Sequence, residues 1–158
     1  MRFVDTGTPR FQLLHTDRNM NLPVVLVVEG EALIRMSAVH MVRDAGFEAV
    51  SASSADEAIR IMEALSDIGA VFTGINMSGS MNGLKLARAI RDRWPPIHLI
   101  VTSGRDASAH KELPANGRFI RKPYTAEQVS TVLVELFGLT LKPNRIISVA
   151  SHNYATLN

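Results

Sequence analysis

Cysteine is missing from this chain altogether. That removes disulfides, thiolate nucleophiles and cysteine-based metal sites, and it is compatible with a reducing compartment. Aromatics are scarce at 6%, with Trp94 the single tryptophan. No block of like charge stands out: 17 lysines and arginines face 15 acids, a formal net charge of +2. With neither a basic run nor basic residues interleaved with aromatics, nucleic acid is not an expected partner. The longest apolar stretch, Leu22 to Val28, is too short to span a bilayer. Residues 1–21 mix charges with isolated apolar residues and contain no secretory core. No membrane partner is expected, and the expected location is the cytoplasm.

What is present reads as one packed domain, with 46% hydrophobic and 20% charged residues in a chain of 158. Residues 1–21 are expected to be a flexible N-terminal extension, 22–138 the domain, and 139–158 a short C-terminal tail. The run Val24-Val25-Leu26-Val27-Val28 lacks polar alternation, as strands buried on both faces do. Further strands are predicted at Phe47–Ala52, Ala70–Thr73, Ile97–Val101 and Arg118–Arg121.

Between the strands lie helical patterns. The first carries Leu33, Ile34, Ala38, Met41, Val42 and Ala45 on one stripe and stops at Gly46. Capping boxes at Ser54–Glu57 and Thr125–Gln128 open the second and fifth helices. The third runs from Leu84 to Trp94 and is stopped by Pro95-Pro96. A short, weakly patterned fourth helix or irregular segment covers about 106–113, and Gly138 ends the fifth. Five strands alternating with five helices predict an α/β fold, a three-layer doubly wound (βα)5 sandwich around a parallel five-stranded sheet. The flavodoxin-like order 2-1-3-4-5 is taken by analogy.

In such folds chemistry gathers at the carboxyl ends of the strands. That edge would collect Glu29, Gly30 and Glu31 after the first strand, and Gly74 and Asn76 after the third. Thr102 and Ser103 follow the fourth strand and Lys122 the fifth. Acids, hydroxyls and one lysine converging there suggest a pocket for phosphate or metal-phosphate. The five histidines show no ligand spacing, so they read as surface or packing residues. No nucleophile–base pair is legible, and an enzyme is not expected.

Four segments are similar to the receiver domains of two-component response regulators, over about residues 22–138. They are Val-Leu-Val-Val-Glu-Gly-Glu-Ala-Leu-Ile-Arg (25–35), Gly-Ile-Asn-Met-Ser-Gly-Ser-Met-Asn-Gly-Leu (74–84), Val-Thr-Ser-Gly (101–104) and Phe-Ile-Arg-Lys-Pro-Tyr (119–124). The single-domain, chemotaxis-regulator type is the nearest pattern. The resemblance implies phosphoryl transfer from a histidine kinase to an aspartate ending the third strand. It also implies Mg2+ held by that aspartate, by an acidic pair after the first strand and by a backbone carbonyl two residues past the acceptor. Carried over by position, Thr102 and Lys122 match the phosphoryl-binding hydroxyl and lysine, Phe119 the switch aromatic, Asn76 the backbone metal position, and Pro123 the cis-proline. Glu29 matches the first acid of the pair. The second acid is Gly30, and the phosphoacceptor position is Gly74.

Glycine has no oxygen with which to attack a phosphohistidine or ligate a hard cation. A lone Glu–Lys pairing would also nearly neutralise the pocket. The expectation is therefore a stand-alone pseudo-receiver, with no cofactor, no resident metal and no catalytic residue. It would act through protein contacts, with a histidine kinase or another signalling protein, on the face of the fourth helix, fifth strand and fifth helix. Homodimerisation stays open. Two alternatives are a phosphorylatable regulator with an unorthodox acceptor among Thr73, Ser78, Ser80, Ser103 and Glu29, and an ordinary receiver in which the two glycines are engineered or artefactual.

Overall fold

The computed structural model describes residues 22–77, 79–104, 107–142 and 145–148. The expected N-terminal extension, and the end of the chain beyond residue 148, lie outside them. β1 (Val24–Val28), β2 (Ala49–Ala52), β3 (Ile68–Gly74), β4 (His98–Ser103) and β5 (Arg118–Arg121) form one parallel sheet in the order β2-β1-β3-β4-β5. Four α-helices cover it: α1 (Ala32–Asp44), α2 (Ala55–Ala64), α3 (Gly83–Arg93) and α4 (Ala126–Leu136). Val25 to Val28 are fully buried, as the unbroken apolar run requires of a strand covered on both faces.

Alternation along the strands sorts the core into two halves. Leu26, Val28, Val71, Leu99 and Val101 face α2 and α3, where Ala58, Met62, Leu86 and Ile90 close that side. Val25, Val27, Ala70, Phe72, Ile100 and Ile120 face α1 and α4 through Ala38, Val42, Val129 and Leu133. This parity later decides which edge residues can meet.

Helix ends follow local chemistry. Thr125 and Gln128 make the full reciprocal box on α4. The Ser54 hydroxyl accepts from the Glu57 N–H at 3.2 Å, but the Glu57 carboxylate turns to the Ser53 N–H and hydroxyl instead, at 2.7 and 2.9 Å. The predicted box on α2 is thus half made. Asn82 caps α3, its side-chain oxygen accepting the Lys85 N–H, one residue ahead of Gly83 and without an acid or amide at N3 to mark it. Gly46 and Gly138 adopt φ of 96° and 62°, the left-handed conformation that favours glycine just past a helix end.

Three expectations are corrected. The predicted fourth helix is a six-residue 3-10 turn, Ala107–Glu112. It is short, ends against Pro114 and anchors to the core through Ala109, too little to propagate an α-helix. Leu33 has the spacing of the buried stripe of α1, yet it is 81% exposed and Met36 67%. The first turn of α1 stands past the end of β1, where the sheet offers no surface to cover. The stretch after Gly138, expected as a tail, contains two strands paired antiparallel, β6 (Leu139–Lys142) with β7 (Arg145–Ser148). Leu139 packs on the α1/α4 half of the core. No described helix is long and apolar enough to cross a membrane.

Two consequences can be measured. An ideal Cβ on Gly83 would overlap the Gly74 carbonyl, whereas on Gly30 its nearest neighbour would be 3.9 Å away. Gly83→Ala should cost about 2 kcal/mol or more in urea unfolding, and Gly30→Ala no more than about 0.5 kcal/mol. His98, edge-on to Phe137, is held below its ordinary 6.5 by burial and then by Arg91. A histidine harder to protonate when folded supports stability above pH 6.5 and gives it up as pH falls through its folded value. His98→Gln should flatten the melting temperature against pH below 6.5.

Candidate functional site

Glu29, Gly74, Thr102 and Lys122 lie two residues beyond Val27, Phe72, Ile100 and Ile120, all on the α1/α4 side of the sheet. A period of two therefore delivers all four to one face of one edge. The register agrees, with Gly74 opposite Thr102. Gly74 is the last residue of β3 itself, and Thr102 and Ser103 belong to β4, one to two residues further into the sheet than the sequence suggested.

The Lys122 ammonium donates to Glu29 Oε2 at 2.9 Å, and the two side chains are 25% and 6% exposed. The second Glu29 oxygen accepts the Glu31 N–H at 3.3 Å. A Cβ on residue 74 would lie 2.7 Å from Glu29 Oε2 and 3.6 Å from the Lys122 nitrogen. The ion pair thus fills the space a side chain at 74 would enter. Arg35 adds a second cation, donating to the Glu29 carbonyl at 2.8 Å and the Gly30 carbonyl at 3.4 Å. Tyr124 lies edge-on to Phe72, and burial, with the Glu29 charge, pushes its hydroxyl up to about 12. Arg35 and Tyr124 both belong to the receiver-like segments, but neither is expected from sequence to touch this edge: Tyr124 is expected at or beside the partner face. The signal for Arg35 was its place one turn into α1, within reach of the loop after β1.

Other candidates fall outside this cluster. Gly30, Glu31 and Asn76 are exposed. Phe119 packs on the α2/α3 half of the core, edge-on to His110. The Lys122–Pro123 peptide is cis. The Thr73 hydroxyl donates to the Gly74 carbonyl at 3.0 Å and Ser80 to Asp56 at 2.6 Å, while Ser78 is not among the described residues. The Thr102 and Ser103 hydroxyl oxygens are buried without a hydrogen-bond partner. Among the described residues no three His, Asp or Glu side chains gather to hold a metal.

The family model of the response regulator receiver domain matches residues 25–133. Among solved structures, a response regulator receiver protein from Sinorhizobium medicae is similar at 25% identity and a TM-score of 0.69, covering 73% of this chain and 94% of that one. A receiver protein from Pseudomonas putida is 30% identical with a TM-score of 0.63, covering 74% and 96%. A receiver domain protein from Clostridium thermocellum is 27% identical with a TM-score of 0.64, covering 73% and 94%.

The ion pair can be weighed directly. Lys122→Met strands a buried carboxylate and should destabilise by about 3 kcal/mol, whereas the double variant Glu29→Gln/Lys122→Met should recover at least half of that loss. Chemical denaturation of the four proteins of the cycle measures it.

Proposed function

The chain belongs to the response regulator receiver domain family of two-component signalling, and from that premise we propose that it is a pseudo-receiver. In this reading it signals by protein contact, without aspartyl phosphorylation. One observation carries the reading: where the resemblance places the acceptor carboxylate there is Gly74, and its side-chain space is taken by the Glu29–Lys122 pair.

Phosphoryl transfer to a receiver needs a carboxylate nucleophile, with cationic charge to offset what builds on the moving group. Gly74 supplies no nucleophile. Lys122 already spends its charge on Glu29, so it would have to break a part-buried ion pair to meet a phosphoryl oxygen. The residues also fit Mg2+ poorly. Gly30 and Gly74 offer no side-chain oxygen, both Glu29 oxygens are engaged, and the Lys122 and Arg35 cations stand beside them. A hard divalent ion wants several oxygen ligands, and this pocket is already neutralised from within. No catalytic residue and no cofactor belong to this reading.

The output surface is then the part of the fold still equipped for contact. It comprises β5, α4 and the 3-10 turn, with Phe119 held against His110 at 5.9 Å between ring centroids. In a receiver the phosphoryl group biases a two-state equilibrium through the hydroxyl and aromatic positions. Here the balance at Thr102 and Phe119 is set by the sequence, and a partner such as a histidine kinase or another signalling protein reads one standing state.

The test is incubation with acetyl phosphate and Mg2+, followed by intact mass. The wild-type chain should keep its unmodified mass. Gly30→Asp/Gly74→Asp should gain Mg2+ affinity and a phosphoryl adduct, because the atom met at position 74 is the movable end of Glu29. A stable adduct on the wild-type chain would overturn the proposal and point to an unorthodox acceptor.

A further inference from the structure

A second cleft of about 550 Å3 opens on the other face of the same sheet edge, lined by Glu31, Ile75, Asn76, Leu84, Ser103, Ala109 and Glu112. The alternation that sends Thr102 toward α1 and α4 sends Ser103 toward α2 and α3, where Ile75, Leu84 and Ala109 also pack. The Glu29–Lys122 pair and the Ser103 wall of this cleft therefore lie on opposite faces of the sheet edge. The size is that of a small-ligand site.

Its lining is chemically one-sided. Ile75, Leu84 and Ala109, each no more than 8% exposed, supply apolar walls. Every ionisable lining residue among those described is an acid. The Glu31 carboxylate has no ion-pair partner among the described residues, while Glu112 meets only the half-exposed Arg88 at 3.3 Å. Lys122 is on the opposite face, spent on Glu29. Ser103, 4% exposed, lines the cleft with a buried hydroxyl that has no hydrogen-bond partner. A buried hydroxyl left unpaired is costly, and a ligand donor would remove that cost. Asn76 adds an exposed side-chain amide at the rim.

We infer that this cleft binds an organic cation, an ammonium or guanidinium group on a short apolar stem. The stem lies against Ile75, Leu84 and Ala109. The cation donates to the Ser103 hydroxyl and is balanced by Glu31 and Glu112. An anionic ligand would meet two carboxylates and, among the described lining residues, no cation; Arg88, beside Glu112, is already paired with it. The inference goes beyond the pseudo-receiver reading: it rests on the side chains of Glu31, Ser103 and Glu112 and not on the Glu29–Lys122 pair.

The experiment titrates the 15N-labelled wild-type chain with butylguanidinium and, in a second arm, with a short neutral peptide carrying one arginine. Butyrate and butanol serve as controls. The inference expects saturable amide shifts centred on Ile75, Asn76 and Ser103. Affinity should weaken about three- to tenfold in Ser103→Ala and about two- to fivefold in Glu31→Gln, with cooperative unfolding at melting temperatures no lower than that of the wild type showing that both variants fold. Saturation by the free cation assigns a small-molecule ligand. Saturation by the peptide alone assigns a partner's basic side chain.

Shifts that never saturate, equal shifts with butyrate, displacement by millimolar Mg2+, or full affinity in Ser103→Ala would each overturn the inference. A phosphoryl adduct on the wild-type chain would overturn only the pseudo-receiver reading.

Discussion

The functional edge depends on one ion pair. Glu29 follows β1 and Lys122 follows β5, 93 residues apart in sequence. In the order β1-β3-β4-β5 their backbones are separated by three strand spacings, roughly 14 Å. The two side chains reach each other at 2.9 Å only by leaning inward over the ends of β3 and β4. Glycine at position 74 leaves that path open, since a Cβ there would press on Glu29 Oε2 at 2.7 Å. With Glu29 nearly buried, breaking the pair would leave a carboxylate without either water or a counter-ion.

The neighbouring residues adapt to that pair. Arg35 reaches back from α1 to the carbonyls of Glu29 and Gly30, and the Glu31 N–H holds the second carboxylate oxygen. Gly83 lets α3 begin directly against the Gly74 carbonyl. Gly30 has a different character. Nothing crowds it, and an added side chain would find open space. One of the two glycines is thus woven into the packing around the pair, while the other is simply a position without a carboxylate.

Much of this could be read from residue order. The unbroken Val24–Val28 run named a strand covered on both faces, Thr125 and Gln128 named a helix start, and Gly46 and Gly138 named helix ends. The gathering of Glu29, Gly74, Thr102 and Lys122 at one edge followed from their places at the carboxyl ends of parallel strands, and a Glu–Lys pairing from the carboxylates missing at 30 and 74. What escaped were features decided by a neighbour. Glu57 chose the Ser53 backbone over its own N-cap, and Leu33 had helical spacing but no sheet beneath it. Arg35 became part of the site only because α1 brings it back over the loop. The 3-10 turn and the β6–β7 hairpin are short segments whose form depends on packing more than on a repeating pattern.

The most direct test of a pocket filled from within is a titration of the wild-type chain with Mg2+ and fluoroberyllate, a phosphoryl mimic, followed residue by residue in 1H–15N spectra. The account predicts no saturable shift at Gly74, Thr102, Phe119 or Lys122, because the Glu29–Lys122 pair keeps both the space and the charge. A saturable shift centred on Gly74 and spreading to Thr102 and Phe119 would contradict it.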